Sequence, residues 1–168
     1  MSTPAWLLSV FYWLHMLATV VWIGSLAALG ILVLPAAKRI LDEEDYARFL
    51  QELQRRLDPL AWLSLAVLTA TGLFQMSANP NYQGFLTISN RWAAAILAKH
   101  ILFLAMVVVS GYLTWVVLPG MRRVAIQRAR GQSPAQAETL ERREVWLMRL
   151  NLILGVLILG LTAVARAA

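Results

Sequence analysis

The chain contains no cysteine. Disulfides, iron–sulfur clusters, thiolate zinc sites and covalent c-type haem attachment are therefore excluded. Histidine is nearly as scarce, with only His15 and His100. Acidic residues number nine, and none falls inside a long apolar run. No carboxylate dyad or carboxylate-rich metal cage is therefore expected within the spans. No nucleophile–base pair and no phosphate-binding loop stands in the sequence. An electron-transfer or transport protein is expected ahead of an independent enzyme.

Charge is also sparse, at 14% of residues, while 60% are hydrophobic. Soluble domains are roughly 45–50% apolar. The chain reads as one domain, residues 1–168, with four membrane spans at about 6–34, 59–76, 92–118 and 145–164. The first run carries no charge before Lys38 and has no positive residue ahead of it, unlike a signal peptide. Asp58-Pro59 predicts the start of the second span, an acceptor at the N-cap followed by proline at the first helical position. Ser89 or Asn90 caps the third, and Pro119-Gly120 predicts its end. Ser133 and Gln136 fit a capping box for a helix leading into the fourth.

The net charge of +6 comes from arginines and lysines that flank the apolar runs, so nucleic acid is not an expected partner. Lys38, Arg39, Arg48, Arg55 and Arg56 lie in the first loop, and Arg122, Arg123, Arg128, Arg130, Arg142, Arg143 and Arg149 lie around the third. The opposite side has Arg91 and Arg166. The positive-inside rule then puts both charged loops in the cytoplasm and both termini outside, in the periplasm of a bacterial inner membrane. The fold class is all-α, an integral membrane four-helix up-down bundle. Tyr46, Phe49, Leu50, Leu53 and Leu57 recur at helical spacing, which predicts an amphipathic helix in the first cytoplasmic loop, anchored on the membrane face or leading into span two.

The functional expectation rests on the two histidines. Each lies nine or so positions from the outer end of its span, so both sit ~13 Å deep on parallel helices that are diagonal partners. Intramembrane ionisable groups are functional by default. Two imidazoles facing across the core supply the axial ligands of a haem, whose porphyrin provides the other four donors. Ala66, Ala70 and Gly155 are small residues at matching depth that let a macrocycle approach, or that simply pack helices closely. Lys99 is costly at its depth and finds a partner either in headgroups or in a haem propionate, with Arg91 as a second counter-ion. Trp22, two turns below His15, packs on a ring edge or in the core. Thr69, Thr71, Gln75 and Asn151 are candidate hydrogen bonders between spans. The leading expectation is a haem b protein of cytochrome b type, His15 and His100 its iron ligands, passing electrons to a quinone or another redox partner. It would act within the bilayer alone, as a homo-oligomer or as a subunit of a larger membrane complex. Copper passing His15, Met16 and His100 is the alternative, set back by methionines that form no ladder in the sequence.

The segments LHMLATVVWIGSLAALGILVLP, RRLDPLAWLSLAVLTATG and WAAAILAKHILFLAMVVVSGY resemble the CopD-like family, named for copper resistance protein D. They are also distantly similar to HemJ-type protoporphyrinogen oxidases. The first resemblance implies copper uptake across the inner membrane. The second implies haem b with an important histidine and lysine, which match His15 and Lys99. The chain departs from the HemJ pattern by lacking a tyrosine–histidine pair after the first span and by adding His100.

Overall fold

The computed structural model describes residues 4–167, and every regular element among them is helical. Four helices are long and apolar enough to cross a membrane. They are span one (Ala5–Ile40), span two (Glu43–Ser77), span three (Arg91–Arg128) and span four (Ala137–Ala167). Span one packs on span two along most of its length, and span three on span four; span two also meets the far end of span three, and span four meets span one. Spans one and three are therefore diagonal. Outward faces carry Trp6, Trp13, Val20, Leu32, Ile101, Leu104, Val108 and Val156, the apolar surface that lipid requires.

The core forms three layers. At the basic end, where the charged loops lie, Leu34, Tyr46, Leu50, Val117, Met121 and Met148 pack together. The middle layer joins Ala18, Trp22, Leu65, Leu68, Met106 and Leu154. At the terminal end, Met76, Trp92, Ala93, Ala95 and Ala165 meet, with Tyr82 of the connecting loop against them.

Two prolines do not mark helix boundaries as the sequence suggests, Pro59 as a start and Pro119 as an end. Pro59 sits inside span two, which runs unbroken from an N-cap at Asp42 whose side chain accepts from Asp45 N–H at 2.8 Å. The carbonyl that Pro59 cannot reach is that of exposed Arg55, where polar surroundings can satisfy it. Tyr46 and Leu50 turn into the bundle, so the amphipathic stretch is the buried beginning of span two and not a helix lying on the membrane surface. Pro119 is likewise passed. A π-helical turn, Leu113–Val117, precedes it, and an equivalent turn, Ala28–Val33, precedes Pro35 in span one. The wider turn relieves the clash between the proline ring and the carbonyl four residues back. Span three stops instead near Gly131, at φ +75°, where Gln132 N–H donates to Gln127 C=O at 3.0 Å. Span four begins at Ala137, after a turn in which Ala137 N–H donates to Pro134 C=O at 3.1 Å, later than the Ser133 capping box suggests.

The two Val-Leu-Pro segments give spans one and three a common register. His15 and Lys99 each stand twenty residues before their proline. Lys99, rather than His100, is thus the positional counterpart of His15.

Candidate functional site

His15 lies on the seam between spans one and two. That seam is held by the Phe11–Phe74 stack, with ring centroids 3.9 Å apart, and by Gln75 Nε2 donating to Phe11 C=O at 3.0 Å. Thr71 and Gly72 complete the seat. The hydroxyl of Thr71 donates its only hydrogen to Val67 C=O at 2.6 Å. It therefore accepts the 2.8 Å hydrogen bond from His15, and the donor is Nδ1–H. The neutral ring then carries a lone pair on Nε2. Gly72 leaves the ring edge room, since a β-carbon there would stand 3.4 Å from His15 Cε1.

His100 reaches the same tautomer by another route. Its Nδ1 is 2.7 Å from Ile96 C=O, and a carbonyl only accepts. Nδ1 is again the donor and Nε2 the open nitrogen. The ring packs edge-on against Phe85 of the loop between spans two and three, centroid to centroid 5.2 Å. Each imidazole is oriented through Nδ1, the arrangement commonly found in metal-binding histidines. They take separate partners, however, His15 on span two and His100 under the loop.

The other candidate residues divide. Trp22 is buried in the middle layer, and its Nε1 has no hydrogen-bond partner among the described residues. Gly155 is buried and receives Ile23, whose Cδ1 would be 3.4 Å from an added β-carbon. Ala66 and Ala70 face outward. Arg91 is exposed in the first turn of span three. Lys99 is half-buried, within electrostatic reach of both His15 and Arg166. Arg166 was visible in the sequence only as one of the few charges at the terminal end; its guanidinium lies 5.0 Å over the ring of Tyr12. Among the described residues, no group of three or more His, Cys, Asp or Glu side chains is placed to hold a metal.

The methionines are sorted by the fold. Met16 is 66% exposed, while Met76, Met106, Met121 and Met148 are all buried. Each of the three core layers contains at least one of these thioethers.

A family model described as copper resistance protein D, CopD, matches residues 51–165. The chain belongs to the CopD family. The match covers span two from Gln51, all of span three and span four as far as Ala165, with the loops between them. No curated protein and no solved structure matches the chain. For a CopD-family membrane protein, soft sulfur donors inside the bundle and two oriented imidazoles are the features that bear on metal chemistry.

Proposed function

We propose that this CopD-family protein handles copper in the bacterial inner membrane, with Cu(I) as cargo passing through the bundle. The observation that carries this reading is the burial of four thioethers at successive levels, with the His15 imidazole between the outermost two. Counted from the terminal helix ends at ~1.5 Å per residue, Met76 lies ~2 Å deep, His15 ~15 Å, Met106 ~22 Å and Met148 ~28 Å. Thioether and imidazole are donors that suit copper. Met148 Sδ packs on the π turn of span one, 4.0 Å from the position a Gly30 β-carbon would take. Met121 lines a small cavity at the basic end, where Lys38, Asp42, Arg128 and Glu141 meet the apolar Leu41, Val124 and Ala125.

The charge bias supports an orientation with the basic end in the cytoplasm. Because the chain lacks cysteine, one cysteine introduced at Gln83 or at Gln132 reports sidedness by its accessibility to an impermeant reagent. The functional test is copper movement in proteoliposomes. The native protein should transport Cu(I), and His15→Ala should lower the rate at least tenfold. No transport and no copper retained by the purified native protein would overturn the reading.

A haem b reading draws on the same two Nε2 lone pairs. Packing counts against it. A macrocycle held between spans one and three would extend into the layer that Ala18, Trp22, Leu68, Met106 and Leu154 fill, and Ile23 occupies the space beside Gly155. A reduced-minus-oxidised spectrum decides between the two: a b-type band that His15→Ala or His100→Ala abolishes would restore haem, and with it electron transfer to a quinone.

A further inference from the structure

The terminal half of the bundle has positive side chains and no acidic ones. All nine carboxylate side chains lie between Asp42 and Glu144, in the loops and helix ends of the basic side. Arg166 sits over the Tyr12 ring at 5.0 Å. Tyr12 is three residues ahead of His15, hence on the same helix face one turn nearer the end. Ala165, beside Arg166, is buried against Ala93 and Ala95 of span three, and Lys99 stands one turn deeper than Ala95. Lys99 thus lies within electrostatic reach of Arg166, on the side where the end of span four meets spans one and three. Neither forms a salt bridge with a carboxylate among the described residues. Like charges repel, and a half-buried cation with no counter-charge beside it among the described residues is costly.

We propose that Lys99 and Arg166 form a binding site for an oxyanion, the phosphate of an anionic lipid headgroup or free phosphate. The parts suit that ligand. Arginine offers a planar fork to two phosphate oxygens, and lysine adds a point charge. Arg166 is exposed and Lys99 half-buried, so the anion enters past the arginine and is held deeper by the lysine. The site lies at the end where Trp6 is exposed in the first turn of span one, the tryptophan placement of a headgroup interface, which favours the lipid as source. A bound phosphate also offsets the positive field beside His15 Nε2. If the copper reading holds, that makes a cation at His15 less unfavourable.

Lipid binding is measured without copper, so its outcome is separate from that of the transport reading. Native mass spectrometry of the full chain, with phosphatidylglycerol, phosphatidylcholine or inorganic phosphate added, is the direct assay. One phosphatidylglycerol should be retained per chain, with phosphatidylcholine held far less. Lys99→Gln and Arg166→Gln should each weaken retention at least tenfold. Arg123→Gln, which removes the same charge from the other end, should leave it within twofold. Thermal melts give a second readout, with phosphatidylglycerol raising the midpoint of the native protein and not that of the double variant. If inorganic phosphate alone gives the same shift, the source is free phosphate. Equal retention by the native protein and the double variant, an equal loss in Arg123→Gln, or no binding of either phosphate source overturns the site. Should Lys99→Gln fail to fold, the decline of phosphatidylglycerol binding with salt in the native protein, together with Arg166→Gln, tests the same point.

Discussion

His15 donates from Nδ1 to the Thr71 hydroxyl at 2.8 Å, and Thr71 has already given its own hydrogen to Val67. The chain of donors leaves only one tautomer for the imidazole. It also ties the ring to span two, so its open nitrogen is held in a fixed direction.

Thr71→Val keeps the shape of the side chain and removes the acceptor. Outer-shell partners of metal-binding histidines are worth about 10–100-fold in affinity. The expected loss of Cu(I) affinity, measured by competition titration of the purified protein, lies in that range, and Thr71→Ser should recover most of it. Native affinity in Thr71→Val would remove His15 from the copper site.

Met106 is 2% exposed, and Met16 points to lipid. Met106→Leu conserves volume, so its stability cost should stay under about 1.5 kcal/mol. Copper transport by that variant should nonetheless fall severalfold, whereas Met16→Leu transports normally. Equal rates in the two variants would reduce Met106 to a core filler, the ordinary use of buried methionine.

Asn151 is 1% exposed, and its Nδ2 donates to Ser110 Oγ at 2.9 Å. Its Oδ1 has no partner among the described residues. Hydrogen bonds between membrane helices average about 0.6 kcal/mol, and an orphaned buried acceptor is itself costly. Asn151→Leu should therefore change unfolding stability by no more than about 1 kcal/mol, as read by denaturant unfolding in bicelles. A loss of about 3 kcal/mol would mean that Oδ1 has a bound partner, such as an internal water.

Glu141 joins Lys38 of span one and Arg128 of span three to span four, the Arg128 contact measuring 2.7 Å. Surface ion pairs are each worth up to about 1 kcal/mol. Glu141→Gln should lower stability by about 1–2 kcal/mol at low salt, and the difference from the native protein should shrink at high salt. A salt-independent loss would point to packing rather than charge.

The four spans, their order and the segregation of acidic from apolar sequence were legible from residue pattern. The cap of span three was narrowed to Ser89 or Asn90, and the structure picks Asn90, whose Oδ1 accepts from Ala93 N–H at 2.8 Å. Helix boundaries at proline were not legible. Pro59 and Pro119 read locally as boundaries, but burial of Tyr46, Leu50, Val117 and Met121 against neighbouring spans keeps the helix going. Thr71, Gln75 and Asn151 were recognisable as polar residues between helices. Their partners were not, and Thr69 bonds its own helix at Leu65 C=O instead.

Hydropathy is a property of consecutive residues, so composition along the chain alone determined that this protein crosses a membrane four times as helices. Which face of a helix looks inward depends on rotation about its axis, and that is set by contacts with the other three. Only the tertiary structure therefore turned Met16 out to lipid and four other methionines inward, seated His15 on Thr71, and laid Arg166 over Tyr12 from the far end of the sequence.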